Sequence, residues 1–484
     1  MSFSRRSFLN TAAASAAFAG YARIASAQTR APGGAPAAET YANEVTGYGP
    51  LKSDPYGVFD LPEGFSYRIV SQAGEKMSDG LYTPFKADGM ECFPGGGSRV
   101  ILARNHELKP ADRNHGPLGV RERLATQSPR LGRGHGRLDP AKAYDLDPEG
   151  HPLPGGVALV TYDLKTGQTV SQHMALTGTL VNCAGGRTPW GSWLSCEETL
   201  IKAGEGGSKD HGWVFEVPSR SRGQIQATPL TAMGRFQHEA VCVDPRTGVL
   251  YMTEDSYDHM GLLYRFLPTA PGELIKGGRL QVMGFRDSPA GGDTRNHDRT
   301  DWSEGAWRET VWFDIDGVDN PHNDIAQRGH AAGAAFLARG EGIHWGNGEI
   351  YICASTGGRA KFGQVLRYVP SRFEGQPGER DEPGRLQLFL ESDTQNVLNS
   401  GDNITVAPWG HLIIGEDDTT KSLRNHLRGV TPEGKVYTIG RNVFREFAEL
   451  AGTCFSPDGS TLFVNIYWPG ITLAITGPWN GFRS

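Results

Sequence analysis

Six short stretches of this 484-residue chain put an acid, an amide or a thiol at one or both ends of an apolar run that is broken by a turn. They read ECFPGGGSRVILARN (residues 91–105), CAGGRTPWGSWLSCE (183–197), EAVCVDPRTGVLYMTE (239–254), EGIHWGNGEIYICAS (341–355), NITVAPWGHLIIGE (403–416) and GTCFSPDGSTLFVN (452–465). Apolar residues flanking a Gly, Pro, Asp or Asn turn predict a β-hairpin in each. Both ends of a hairpin fall on the same side, opposite its turn. Six hairpins stacked round an axis would therefore gather Glu91, Cys183, Glu197, Glu239, Glu254, Glu341 and Glu416 in one place. That many like charges cannot share a site without cations.

The donor types divide the chemistry. Cys183 holds the position that Glu239 and Glu341 hold in their own repeats, and a thiolate among carboxylates suits iron or zinc more than calcium or magnesium. Asn105, Glu107, Asp402, Asn403, Glu416 and Asp417 form an oxygen-only set suited to calcium. Singly, each acid reads as an exposed strand end and a lone cysteine as buried filler; the convergence is what points to metal. Cys92, Cys196, Cys242, Cys353 and Cys454 lie inside apolar runs with no CxxC spacing and read as small buried hydrophobes. Asp314-Ile315-Asp316-Gly317 matches a calcium loop only in part, lacks the closing Glu, and reads as a solvated turn.

The elements that must position these residues are strands. GGVALVTYD (155–163), GWVFEVPS (212–219), GLLYRFLP (261–268), GQVLRYVP (363–370) and GKVYTIG (434–440) follow the hairpins as a second strand family. An inner hairpin plus outer strands is the plan of a propeller blade, and no helical period runs beyond about ten residues. The expectation is an all-β, six-bladed propeller over residues 48–484, closed by pairing of its first and last blades. Two insertions, 106–153 and 286–328, are expected to shape the binding face. Residues 28–47 are rich in Ala, Pro and Gly and read as a flexible linker.

Composition excludes other classes. With 38% hydrophobic and 21% charged residues the chain is too polar for an integral membrane protein, and a net charge of -6 gives no reason to expect nucleic acid. Arg5 and Arg6 in SRRSFL, an Ala-rich run over 11–20 and a small-residue site at Ala25-Ser26-Ala27 predict a twin-arginine signal over 1–27. Periplasmic or secreted protein, passed through the twin-arginine machinery, follows from it. The apolar run is too short for a stable membrane anchor. No GxSxG elbow, Walker A loop or HExxH helix is present.

NCAGGRTPWGSWLSCEE (182–198), FQHEA (236–240), RGEG (339–342), CFSPDGSTLFVNI (454–466) and ITGPW (475–479) resemble the PhoX-type alkaline phosphatase family. That resemblance implies a six-bladed propeller whose centre holds ferric (Fe3+) and calcium (Ca2+) ions and hydrolyses small phosphomonoester substrates. By the resemblance, Cys183, Glu197, Glu239 and Glu341 would bind iron, Asp88 would join the calcium set, and Arg339 would contact the phosphate. Clustered cations orient a phosphate and offset its charge, and a guanidinium fork matches its oxygens. A monomer is expected. Two other readings of the same fold stand beside this one: a calcium-dependent lactonase or esterase, and a non-catalytic propeller whose ions are structural.

Overall fold

A computed structural model describes residues 40–119, 138–298, 302–418, 424–444 and 448–484. The expected signal and most of the linker lie outside the described residues. The chain is all-β, with one α-helix, Ile325–Ala331, among the described residues. Its strands form antiparallel sheets in a propeller-like arrangement.

All six predicted hairpins are present. Their first strands are Ala87–Gly96, Asn182–Arg187, His238–Val243, Gly340–Gly346, Gly401–Val406 and Leu450–Phe455. Each packs against the next in chain order, and the last packs against the first, so the six enclose an axis. Strands such as His238–Val243 and Thr461–Ile466 are buried along their whole length. Sheets packed on both faces bury both sets of side chains, so apolar runs replace clean alternation. The ring closes through pairing of Ile471–Thr476 with Ser66–Gln72 from the N-terminal end, as the sequence predicts.

Among the described residues the sheets number five rather than six. Two have four strands, and the others have three, six and nine. The nine-stranded sheet arises inside the second insertion, where Trp307–Asp314 pairs with Gly278–Phe285 on one side and with Arg385–Glu391 on the other. That segment was expected to be a loop over the binding face, but it is a strand that joins two hairpin repeats edge to edge. Pairing satisfies backbone groups that two separate sheet edges would leave open.

Small residues set the diameter of the ring. A Cβ on Gly342 would lie 2.7 Å from the Asp402 carbonyl oxygen and 2.9 Å from the Ile404 nitrogen; one on Gly89 would lie 2.4 Å from the Ala184 Cα. These neighbours are backbone and cannot rotate away. Gly342→Ala should therefore cost about 1–3 kcal/mol of stability, whereas Gly223→Ala, with nothing within 4 Å of its Cβ, should stay within about 0.5 kcal/mol. Thermal melts of the two variants check this, and equal melting temperatures would show that the first strands can move apart.

Candidate metal centre

Each of the six hairpins carries a β-bulge at the same place, between Ala87/Met90, Asn182/Gly185, His238/Val241, Gly340/Ile343, Gly401/Ile404 and Ala451/Cys454. The first bulged residues are Asp88, Cys183, Glu239, Glu341, Asp402 and Gly452. Five of the six carry metal-ligating side chains. A bulge re-aims the side chain at an otherwise regular ladder, and here it does so at equivalent places round one axis. Ligand atoms of Cys183, Glu198 and Glu239 come within 4.8 Å of one another, as do those of Glu239, Glu341 and Asp402. Glu239 belongs to both groups. The Cys183 Sγ lies 3.5 Å from Asp88 Oδ2.

Four of the bulges are preceded, two residues earlier, by a non-glycine residue in the left-handed region: Lys86 (φ 49), Val181 (φ 50), Arg339 (φ 48) and Ser400 (φ 49). Such a conformation costs on the order of 1–2 kcal/mol per residue, so the fold holds strain where it turns the chain into the centre. Arg339 lies two residues before Glu341, and its left-handed φ keeps the two side chains from pointing the same way by strand alternation. The guanidinium nonetheless reaches the site, with Nη2 3.5 Å from Glu341 Oε1. Asp255 holds it there, accepting from Nε at 2.8 Å and from Nη2 at 2.6 Å.

A second layer of acids follows the outgoing strands. His106, Glu197, Glu254 and Glu416 pair with the residues just before four bulges, and the residues that follow them are Glu107, Glu198, Asp255 and Asp417. The first member of each acidic pair is spent on the fold. Glu197 accepts from the backbone of Leu180, Gly212 and Trp213 and contacts His211; Glu254 accepts from Leu262 N and the Tyr264 hydroxyl. Glu416 accepts from Asn399 N, His426 N and Arg428. The second member belongs to the site. Glu198 sits with Cys183 and Glu239, and Glu107 accepts from the Tyr467 hydroxyl.

The electrostatics of this centre are unfavourable as they stand. Burial, reinforced by neighbouring carboxylates, pushes Asp88, Glu198, Glu239 and Glu341 well above the usual carboxylate range. The same causes push Asp402 up to about 8 and Asp417 up to about 6. Burial first, then the charges of Asp88, Glu239 and Glu198, raises the Cys183 thiol. Asp88 Oδ1, Glu198 Oε1, Glu239 Oε1 and Asp402 Oδ1 are buried without a hydrogen-bond donor. Buried carboxylate oxygens converging without donors are what a cation requires of its ligands, so the residues present fit metal ions.

A family model for alkaline phosphatase PhoX matches residues 46–470. The chain belongs to the alkaline phosphatase PhoX family. It is a phosphoric monoester hydrolase of the metal-dependent kind. Among solved structures, Pseudomonas fluorescens PhoX in complex with vanadate, a transition state analogue, is 18% identical. The similarity covers 92% of this chain and 99% of that one, with a TM-score of 0.63. A gluconolactonase from Xanthomonas campestris is 11% identical over 89% of this chain and 98% of its own, with a TM-score of 0.38. No curated protein sequence matches the chain.

In this PhoX-family chain the sequence-derived residues separate into two groups. Asp88, Glu107, Cys183, Glu239, Glu341 and Asp402 meet at the axis, with Asp417 and Arg339 close enough to influence their charges. Asn105 is engaged by the fold, donating to the Cys183 and Ala184 carbonyls and accepting from Trp193 and Ser195. Asn403 Oδ1 accepts from Gly452 N. Glu91 shares a cavity of about 470 Å³ with Arg187 and His344 and is absent from both ligand groups, as are Glu197, Glu254 and Glu416. Sequence reasoning missed Glu198, Asp255 and Glu449, a half-buried acid that feels Asp417, Asp88 and Asp402. The doubled acids Glu197-Glu198 and Glu254-Asp255 were the available signal. Among the described residues no helix is long and apolar enough to cross a membrane.

The Glu197 side chain is part of a buried trio. His211 Nδ1 lies 2.7 Å from Glu197 Oε1, and Nε2 lies 3.3 Å from Asp145 Oδ2. Burial disfavours the charged ring, but the two carboxylates outweigh it and raise His211 to about 9. An imidazole ordinarily titrates near 6.5. A folded-state pKa above the unfolded one gives stability that is full below about 6.5 and lost as pH rises through about 9. The melting temperature of wild type minus that of His211→Gln should therefore shrink between pH 6.5 and 9.5. A difference that stays flat over that range would contradict the charged trio.

Proposed function

We propose that this chain is a phosphomonoesterase exported by the twin-arginine route to the periplasm, where it acts as a monomer. The mature enzyme would follow a 1–27 signal and a 28–47 linker as one domain over 48–484. In this reading the domain has six blades, and the nine-stranded sheet is two blades joined edge to edge. The cyclic packing of six first strands supports that count. The observation that carries the functional reading is the set of equivalent bulges that aim Asp88, Cys183, Glu239, Glu341 and Asp402 at one axis, with unpartnered buried oxygens among them.

The donor set suggests which ion goes where. Cys183, Glu198, Glu239 and Glu341 would hold ferric iron, because a thiolate with carboxylates favours it, and Asp88, Glu107, Asp402 and Asp417 would hold calcium through oxygen alone. Glu198 takes the place that the family resemblance implies for Glu197, and Asn105, Asn403 and Glu416 serve the fold. When bound, the ions supply positive charge that orients a phosphate and stabilises the charge developing on it. Arg339 adds a directed contact. Asp255 occupies the Nε and Nη2 side of its guanidinium, which leaves Nη1 to donate to a phosphoryl oxygen.

The direct test is hydrolysis of an aryl phosphate at alkaline pH by protein loaded with its metals, read beside its metal content. Iron and calcium should both be present, with colour from thiolate-to-iron charge transfer. A colourless protein containing only zinc would sink the iron assignment. Stripping the ions with a strong chelator should lower the melting temperature, since buried like charges lose their counter-ions. Glu198→Gln should leave folded protein short of iron. Glu197→Gln should instead destabilise by about 3–5 kcal/mol, the usual result of breaking a buried charge pair, with iron per folded chain unchanged. Arg339→Lys or Arg339→Ala should lower turnover on the order of 10- to 1000-fold with metal content intact; variant and wild-type rates that coincide would remove the phosphate role.

A further inference from the structure

Resting on the phosphomonoesterase reading, we propose that Tyr257 and the cavity beside it form a subsite for a flat, aromatic leaving group. Tyr257 sits on the loop between strands Leu250–Glu254 and Leu263–Pro268. It is 64% exposed, unusual for a large aromatic side chain in this fold. The ring is nevertheless held in place. The Arg339 guanidinium carbon stands 4.7 Å from the ring centroid, and the loop is fastened by bonds from Ser256 Oγ and Met260 N to Asp258 Oδ1, with His259 Nδ1 2.9 Å from Thr356 Oγ1.

Tyr257 lines a cavity of about 350 Å³ whose other walls include Lys109, Pro110, Ala111, Val181 and Ile201, and which reaches Glu107 and Glu198 of the metal centre. A phosphoryl group touching Arg339 Nη1 must send the rest of the ester outward, because the axis behind it is filled with carboxylates. The cavity that shares the Tyr257 ring with Arg339 offers such a way out. One wall is the aromatic ring against Arg339, and Pro110, Ala111, Val181 and Ile201 supply apolar surface beside the charged Lys109 and Glu205; the ring and apolar surface together favour an aryl group or nucleobase, which can stack on the one while covering the other. A glycerol or other small polyol group has no flat face to offer it.

The test uses the metal-loaded full chain and compares kcat/KM for phenyl phosphate with that for glycerol phosphate, in wild type, Tyr257→Ala and Tyr257→Phe. Because Tyr257 also supports Arg339, which touches the phosphate of every ester, only the ratio between substrates reports on stacking. Tyr257→Ala should lower the aryl-to-polyol ratio about three- to tenfold, mainly through KM for the aryl ester, and Tyr257→Phe should restore it. Calorimetric binding of phenylphosphonate against methylphosphonate, which need no turnover, should show the same change in ratio. A uniform loss for both substrates, or an unchanged phosphonate ratio, overturns the subsite. A wild type that hydrolyses neither ester while preferring phenylphosphonate would overturn the phosphatase reading and leave the subsite standing.

Discussion

Carboxylates buried face to face cannot all carry charge unless a cation lies between them. The centre of this protein is built around that constraint. Asp88, Glu198, Glu239, Glu341 and Asp402 are drawn to one axis from separate hairpins, and their neighbours and their burial both oppose ionisation. A fold that only needed to be stable would place apolar residues there, as it does elsewhere along the same strands. Retaining acids with unpartnered oxygens is intelligible when the ions proposed for the site contribute binding free energy that the empty fold lacks.

Delivering those side chains requires breaks in regular structure. A continuous strand would alternate its residues between two buried faces and would not aim consecutive repeats at the axis. The bulge resolves this by inserting one residue per hairpin, and left-handed residues at Lys86, Val181, Arg339 and Ser400 turn the chain into four of the bulges. At the sixth hairpin the equivalent residue is Gly452 (φ 61), where a Cβ would lie 2.5 Å from the Asp88 carbonyl oxygen and 2.5 Å from Asn465 Nδ2. One place in the ring therefore serves packing rather than chemistry.

The second layer keeps this arrangement rigid. Glu197, Glu254 and Glu416 each accept hydrogen bonds from backbone nitrogens of the next chain segment, which ties the exit of a hairpin to the strand that follows. Arg339 is fixed in the same manner by the buried Asp255 carboxylate, with the Tyr257 ring over its face. A group that contacts a phosphoryl oxygen is most effective when its position is set before substrate arrives. The acid that anchors the fold and the acid that faces the site are neighbours in sequence, so each pair couples local stability to the geometry of the centre.

By itself, the sequence determined the all-β class, the six hairpins, the closure between chain ends, the burial of the five cysteines in apolar runs, and, of the seven residues it gathered at the hairpin ends, the meeting of Cys183, Glu239 and Glu341. Hairpin turns and apolar runs are local, and the side on which a hairpin's ends fall follows from its geometry. The motif resemblance carried the phosphatase class. Tertiary structure alone decided which member of each acidic pair faces the axis, because a one-residue change of register reverses the face of every following side chain. That is why Glu197 and Glu416 anchor the fold while Glu198 and Asp417 stand near the centre. It also decided that 307–314 joins two repeats as a strand, and that Arg339 reaches the site from a left-handed turn held by Asp255. Those outcomes depend on partners distant in the chain, which no local pattern records.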